Sequence, residues 1–193
     1  EYEKWLALLK VQGSTEVHDI KDMGQEDADT LIMSYVVNEN EIIESPQFKI
    51  PESIRRIILI EPSTHQAGRK MLEYRDRMIE AGWYAWAPCT HQEFCPLYNQ
   101  SGRDWCHHRV HWNKPEWFMD LEQYLPMRND TLTLSYVLLS RDKPLRDLTG
   151  LTRIVRDEQP ERGKTRQMIC RGVNREFLSW LDRNRLKPGL RRG

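Results

Sequence analysis

The sequence lacks three features that would each point to a class of protein. Its 10 glycines contain no G-x-G-x-x-G element, so the turn that holds a nucleotide or nucleoside in doubly wound folds is not found in these residues. No apolar run approaches the roughly 18 residues that a membrane-spanning helix needs, and we expect no membrane association. The third missing feature is an excess of charge of one sign, because 29 basic residues balance 29 acidic ones.

The balanced total hides a gradient of charge along the chain. Residues 1–50 carry 4 basic and 11 acidic side chains, and residues 51–140 carry 10 and 11. Residues 141–193 carry 15 basic and 7 acidic side chains. A basic segment of this kind is a candidate contact for a polyanion such as RNA, although a solvated basic surface has the same composition.

Cysteine is scarce and unevenly distributed. Three of the four cysteines, Cys89, Cys95 and Cys106, lie within residues 83–112, while Cys170 lies far downstream. No pair has the C-x2-C spacing of most zinc sites. Wider spacing with a remote fourth thiol is more typical of an iron-sulfur cluster, and zinc stays open as the alternative. Two disulfides would suit a secreted protein, but a chain of this length can form a core without them.

Histidines beside the cysteines offer a second ligand set. His91, His107 and His108 flank Cys89 and Cys106, so a Cys3His zinc site is also open at this point. Catalytic patterns are weak, because no G-x-S-x-G element frames a serine nucleophile. The adjacent Cys106 and His107 are sequence neighbours that do not face each other as a nucleophile and its base would. We therefore predict no catalytic residue.

Hydrophobic patterns predict alternating strands and helices. Strands are predicted at residues 15–20, 30–37, 56–60, 83–87, 131–140, 150–154 and 166–170, and helices at 1–10, 38–44, 66–81, 116–124 and around 177–181. The continuous apolar runs at 30–37 and 56–60 are typical of a parallel sheet that is buried on both faces. This order of elements predicts an α/β fold of doubly wound type. The cysteine loop then follows a strand, at the sheet edge where such folds bind ligands.

Several of these segments together resemble one known family. The segments are Ser34–Val37, Ile58–Thr64, Ala87–His91, Cys95–Leu97, Asp104–His107, Leu134–Leu139 and Arg153–Val155 with the later Cys170. They are similar to the methyltransferase-like assembly factors of the small ribosomal subunit found in mitochondria and many bacteria, over roughly residues 28–180. Two positions depart from the family pattern. Thr90 stands where the family usually has proline, and His108 stands where it generally has an aromatic residue.

The resemblance implies a class I methyltransferase-like (Rossmann-like) sheet with a cluster-binding cysteine loop. It implies a 4Fe-4S cluster held by the four cysteines, which are Cys89, Cys95, Cys106 and Cys170. We expect a partial methyltransferase-like domain at residues 1–148, apparently without its first strands, with the cysteine loop at 83–112. A basic, β-rich extension and tail is expected at residues 149–193.

The resemblance also implies binding to small-subunit rRNA and ribosomal proteins in the mitochondrial matrix, with the bacterial cytoplasm as the alternative. We predict a ribosomal component or assembly factor without catalysis, and Arg103 and Arg109 as RNA contacts. Binding of S-adenosylmethionine is not expected for this chain alone, because the glycine-rich turn is absent from it. The alternatives are an S-adenosylmethionine-dependent rRNA methyltransferase completed by an N-terminal segment or another chain, and a zinc-stabilised RNA-binding domain.

Overall fold

A computed structural model gives the fold and describes residues 28–37, 49–126, 128 and 130–184. Its elements are, in chain order, β1 (Thr30–Ser34), β2 (Arg56–Pro62), α1 (His65–Glu80), β3 (Tyr84–Ala87), α2 (Pro96–Asn99), β4 (His108–His111), α3 (Glu116–Glu122), β5 (Thr131–Ser140), β6 (Arg153–Ile154), β7 (Gln159–Glu161), β8 (Lys164–Arg171), β9 (Asn174–Leu181) and a 3-10 helix (Asp182–Asn184). The strands form two sheets. Together with α1 they confirm the predicted α/β class and are consistent with a Rossmann-like fold.

Three predicted elements lie outside the described residues. They are the helices at 1–10 and 38–44 and the strand at 15–20. Within the described part of the chain, no helix is long and apolar enough to cross a membrane.

The first sheet has the strand order β1-β2-β5-β3, and β4 also pairs with β5. β1 and β2 are parallel, whereas β5 runs antiparallel to β2, β3 and β4. The expected parallel arrangement therefore holds for β1 and β2, and β5 departs from it. The chain leaves β4, passes through α3 and returns as β5 along β4 in the opposite direction, and a connection of this length permits either direction.

The core lies between the first sheet and α1. Ile57, Leu59 and Leu139 are completely buried, and Met71 and Leu72 of the helix pack into the same cluster. The helix begins after Thr64, whose side chain accepts a hydrogen bond from the Ala67 N–H at 3.2 Å. A capping hydroxyl of this kind satisfies one of the free donors at a helix start, so the predicted helix is confirmed with bounds shifted by one residue.

The second sheet is an antiparallel unit built around β8. β6 and β7 pair with one edge of β8, and β9 pairs with the other edge over eight residues. Gly163 and Gly172, at φ 77° and 53°, form the two hairpin turns, where the left-handed backbone favours glycine. Val155, Met168 and Cys170 reach the core shared with the first sheet. The described strands of the first sheet precede the predicted boundary at residue 148, and those of the second sheet follow it.

Two predictions of secondary structure are wrong in the described residues. The final helix around 177–181 is instead β9, because the turn at Gly172 returns the chain along the full length of β8. Phe177, Leu178 and Leu181 have a spacing that fits a helix, but eight residues of strand pairing outweigh that local pattern. The predicted strand 30–37 ends at Ser34, since Tyr35 adopts φ 61°. β1 is also not buried on both faces, because Ile32 is 63 % exposed.

Candidate metal centre

Strands β3 and β4 take up the two ends of the predicted loop 83–112, and the cysteine loop between them, residues 88–107, is an excursion from one edge of β5. It leaves the sheet after β3, where Ala87 pairs with Leu138, and returns at β4, where His108 pairs with Leu134. Ser135, which is fully buried between these two attachment points, donates a hydrogen bond to the Cys106 carbonyl at 2.8 Å. The two ends of the loop are therefore held close together on one strand.

Two arginines of α1 satisfy the carbonyl groups of this loop. Arg69 donates to the carbonyl oxygens of four loop residues at 2.6 to 3.3 Å, which are Leu97, Tyr98, Ser101 and Asp104. Arg75 is buried to 1 % exposure and donates to the carbonyls of Glu93 at 2.6 Å and His91 at 3.0 Å. A loop with little secondary structure of its own needs such donors for its buried carbonyls. The helix thus shapes the loop independently of any metal.

Further contacts fix the positions of individual cysteines. The Cys95 N–H donates to both carboxylate oxygens of Asp76, at 3.1 and 3.0 Å. The Gln92 side chain exchanges two hydrogen bonds with the backbone of Ala85, at 2.8 and 2.7 Å, and so folds the loop back onto β3. Trp105 donates from Nε1 to the Ser63 carbonyl at 2.8 Å, which anchors the residue before Cys106 to the start of α1.

Cys170 approaches the cysteine loop from the second sheet. It lies near the end of β8, between Arg153 of β6 and Arg175 of β9. Its Sγ is 3.4 Å from Nε2 of His91 in the loop. Polar contacts hold the second sheet against the loop: the Gln100 side chain donates to the Val173 carbonyl at 2.7 Å, and Arg175 Nε pairs with Asp104 at 2.6 Å.

The four cysteines share one electrostatic environment. None forms a disulfide; Cys95, Cys106 and Cys170 are buried, and Cys89 is partly buried. Burial raises the pKa of Cys106 to about 11, against the lowering effect of Arg153. Burial, with Cys89 and Cys106 nearby, raises the pKa of Cys170 to about 12. Burial and the neighbouring Cys89 likewise raise the pKa of Cys95. The thiols of Cys95, Cys106 and Cys170 are therefore neutral at pH 7 unless a cation favours the thiolates.

The four thiols and the polar groups around them have features of a site for a metal or a cluster. No three His, Cys, Asp or Glu side chains in the described ranges have already converged into a ligand geometry. However, five buried side-chain atoms around the loop have no hydrogen-bond partner, and they are Arg75 Nε, Thr90 Oγ1, His91 Nδ1, His107 Nδ1 and Arg153 Nε. Buried polar groups are normally satisfied. Two guanidinium groups with free donors beside four thiols fit an anionic thiolate centre, so the residues suit a metal or cluster with four sulfur ligands.

The histidines of the alternative Cys3His set occupy different positions. His91 lies beside Cys170, whereas the His107 ring lies 5.2 Å from the Trp105 ring. His108 contacts the Arg153 guanidinium, and burial, helped by Arg153 and His107, lowers the pKa of His108 to about 4. His91 is thus the histidine whose ring nitrogen lies beside a cysteine sulfur in the described part of the chain.

The predicted RNA contacts lie on the surface next to this centre. Arg103 is exposed, and its N–H donates to Ser101 Oγ at 3.1 Å. Arg109 on β4 is half exposed and forms an ion pair with Asp157 at 2.9 Å. Both guanidinium groups are accessible to an RNA backbone, and Arg109 would have to exchange Asp157 for a phosphate.

Three arginines that surround the loop, Arg69, Arg75 and Arg153, have roles that were not predicted from the sequence. Arg75 could have been noticed, because it follows Met71 by four residues and precedes Met78 by three, on the core-facing stripe of α1. A charged residue on such a stripe indicates a buried partner. Arg69 and Arg153 carry no comparable signal, since their roles depend on loop carbonyls and on the pairing of β6 with β8.

Comparison with known proteins identifies the family. A search of curated proteins finds no match. The model of one protein family, described as mitochondrial small ribosomal subunit Rsm22, matches residues 8–177. That match spans most of the chain, including the first sheet, the cysteine loop, all four cysteines and the second sheet as far as Phe177 in β9. The chain therefore belongs to the Rsm22 family of the mitochondrial small ribosomal subunit.

Proposed function

We propose that this chain is a non-catalytic component or assembly factor of the mitochondrial small ribosomal subunit, stabilised by a 4Fe-4S cluster. Family membership implies association with that subunit and with the mitochondrion; the matrix, the cluster and the contacts with rRNA and ribosomal proteins are the finer parts of the proposal. The proposal also includes a partial methyltransferase-like domain, and the mixed α/β sheet is consistent with such a fold.

One observation carries the proposal of a cluster. Three thiols of one loop and one thiol of a distant strand interact electrostatically with one another beside buried arginines that have unsatisfied donors, and this supports the proposal. Cys89, Cys95 and Cys106 would bind from the first sheet, and Cys170 from the second. When bound, the cluster supplies iron-thiolate bonds that cross-link the two sheets, and four cysteine ligands leave no open iron position for a substrate. This favours a structural over a catalytic role.

The surrounding residues prepare the ligands. Arg69 and Arg75 hold the loop backbone, and Asp76 fixes the amide of Cys95. The raised pKa values mean that binding must release protons from the thiols, so metal uptake is expected to strengthen as pH rises. The side chain of Phe94 is 54 % exposed, so it does not shield the cysteine loop from solvent.

Metal analysis of anaerobically purified protein tests the cluster directly. We expect about four iron and four sulfide per chain, and loss of both in Cys170→Ser. One zinc with no iron or sulfide would instead support the zinc-stabilised domain.

Calorimetry with S-adenosylmethionine tests the absence of catalysis, because submicromolar binding by this chain would contradict it.

Association with the ribosome tests the second part of the proposal. Replacing both Arg103 and Arg109 with Ala should weaken binding to small-subunit rRNA, with a smaller dependence on salt because two phosphate contacts are lost. Arg56→Ala is a matched control, since Arg56 is half exposed and ion-paired with Asp29 at 2.8 Å, as Arg109 is with Asp157. Equal effects of the double variant and the control on binding would contradict the assignment of these contacts.

A further inference from the structure

Arg153 differs from the other arginines at the junction of the two sheets. Arg109, Arg156 and Arg175 have carboxylate partners, which are Asp157 for the first and Asp104 for the other two. None of the ion pairs among the described residues includes Arg153. Its guanidinium instead contacts the ring of His108, a group that carries no negative charge in either protonation state. The positive charge of Arg153 is therefore not balanced by an acidic side chain of the described structure.

The position of Arg153 explains where this charge acts. It pairs with Cys170 across β6 and β8, so its side chain lies on the same face of the sheet as that thiol. Its guanidinium acts electrostatically on both Cys106 and Cys170 and lowers the pKa of each thiol. Nε of Arg153 is buried and has no partner. The group thus faces two cysteines that come from different sheets.

Arg75 provides a comparison within the same centre. It also acts on the cysteines, but Asp76 forms an ion pair with it, and its two terminal nitrogens donate to two loop carbonyls, which leaves only Nε without a partner. Its charge is compensated and its contacts are structural. Arg153 has one imidazole partner and a guanidinium that is free to interact with sulfur, so the two arginines can have different roles.

We propose that Arg153, held in place by His108, is the fixed positive charge that stabilises the anionic sulfur centre and sets how readily it is reduced. This inference rests on the proposed cluster of four cysteines. Four thiolates and the inorganic core together carry net negative charge, and reduction adds one electron and no proton at the metal. A cation beside Cys106 and Cys170 therefore stabilises the reduced form more than the oxidised form. Arg153 is a positioning residue that tunes the centre and does not bind the metal.

The test compares Arg153→Met with Arg153→Lys and with the control Arg171→Met. Lys retains the charge, whereas Met retains much of the length without it. Arg171 lies on the same strand as Cys170, but it is exposed and ion-paired with Glu176. Each purified protein is analysed for iron and sulfide, and its reduction is followed by electron paramagnetic resonance during titration with dithionite.

We expect Arg153→Met to disfavour reduction by at least tenfold in the equilibrium constant, which is a potential more negative by about 59 mV for one electron. Arg153→Lys should recover most of this change, and Arg171→Met should match the wild type. A loss of iron in Arg153→Met that Lys restores would also support the role of the charge. Unchanged iron content with an unchanged potential would overturn it, and so would equal loss of iron in Met and Lys variants.

The outcome for the wild type separates this inference from the proposed function. If wild-type protein contains zinc and no sulfide, the cluster proposal fails, and the charge is tested by the rate of zinc loss to a chelator. Arg153→Met should then lose zinc at least tenfold faster than Arg153→Lys, because the thiolates lose their counter-charge. Equal rates in these two variants would overturn the role of Arg153 in the zinc protein.

Discussion

The two sheets are stabilised by different means. The first sheet encloses completely buried side chains, including Ile57, Leu59 and Leu139, against α1. The second sheet contributes Val155, Met168 and Cys170 to the same core, while many of its apolar side chains stay partly exposed. Its remaining ties to the first sheet run largely through polar contacts with the cysteine loop. The first sheet can therefore fold by burial, whereas we expect the second to depend more on the proposed thiol centre.

Loss of a proposed cysteine ligand should produce the largest difference in local stability between the two sheets. Cys170→Ser removes the proposed ligand from the second sheet, and we expect loss of bound metal and of about 3 kcal/mol or more of local stability. Hydrogen exchange should then accelerate by about 100-fold or more in β6 to β9 and much less in β2 and β5. Ile169→Val is the control, since it trims the neighbouring buried residue and should cost about 0.5–1.5 kcal/mol with metal retained. Equal acceleration of hydrogen exchange in both sheets would contradict the proposal that they are stabilised by different means.

A cavity in the first sheet should affect the whole chain. Leu139→Ala removes a completely buried side chain that pairs with Ile57 across β5 and β2. We expect a loss of about 2–5 kcal/mol in the free energy of unfolding, measured with urea. The control is Leu145→Ala, at a side chain that is 94 % exposed, which should change stability by about 0.5 kcal/mol or less. The interpretation fails if Leu139→Ala loosens the second sheet alone.

The contact between α1 and the loop offers a smaller perturbation. A Cβ added at Gly68 would lie 2.4 Å from Cδ1 of Trp105, so Gly68→Ala must displace the indole and with it the chain that leads to Cys106. Overpacking of this kind costs about 1–3 kcal/mol, and the changed tryptophan environment should alter fluorescence. Gly102→Ala meets no atom within 4 Å and serves as the control. Wild-type fluorescence and metal affinity in Gly68→Ala would show that this contact does not position the loop.

The sequence predicted the first sheet better than the second. β5 has its predicted bounds, Thr131–Ser140, because a long run of β-branched and apolar residues fits a strand and few other structures. Its antiparallel direction was not predictable, since it depends on the return from β4 inside a segment that reads as loop. β9 was mistaken for a helix, because its apolar spacing is ambiguous and the hairpin at Gly172 decides between the two.

The candidate centre was predictable in part. The group formed by Cys89, Cys95 and Cys106 is visible in the sequence, whereas Cys170 was one of several candidate fourth ligands until the family resemblance implied it. The supporting arginines were missed because their partners are loop carbonyls and sulfur atoms, which leave no periodic pattern. Residues that act through tertiary contacts of this kind require a structure.

Of the four substitutions, the one that removes the ion pair between Asp104 and Arg175 should have the smallest effect on stability. Asp104 is buried and pairs with Arg175 at 2.6 Å. Burial alone would raise its pKa, but hydrogen bonds with Ser101 and Arg175 lower the pKa below the usual aspartate value. Asp104→Asn keeps the shape and removes the charge, so we expect a loss of about 1.5 kcal/mol in the stability of the second sheet. The control is Asp142→Asn, whose partner Arg55 and own side chain are both about half exposed, and it should cost about 0.5 kcal/mol or less.

The pH dependence of this ion pair sharpens the test. A lowered pKa in the folded state means that the contribution of Asp104 is fully present above the ordinary aspartate pKa of about 3.9, and is lost as pH falls through the lower folded pKa. The difference between wild type and Asp104→Asn in urea unfolding should therefore be constant from pH 8 to pH 5.5. A difference that already shrinks at pH 6 would mean that protonation of another group, and not of Asp104, governs the junction. The second sheet would then be held by something other than this carboxylate.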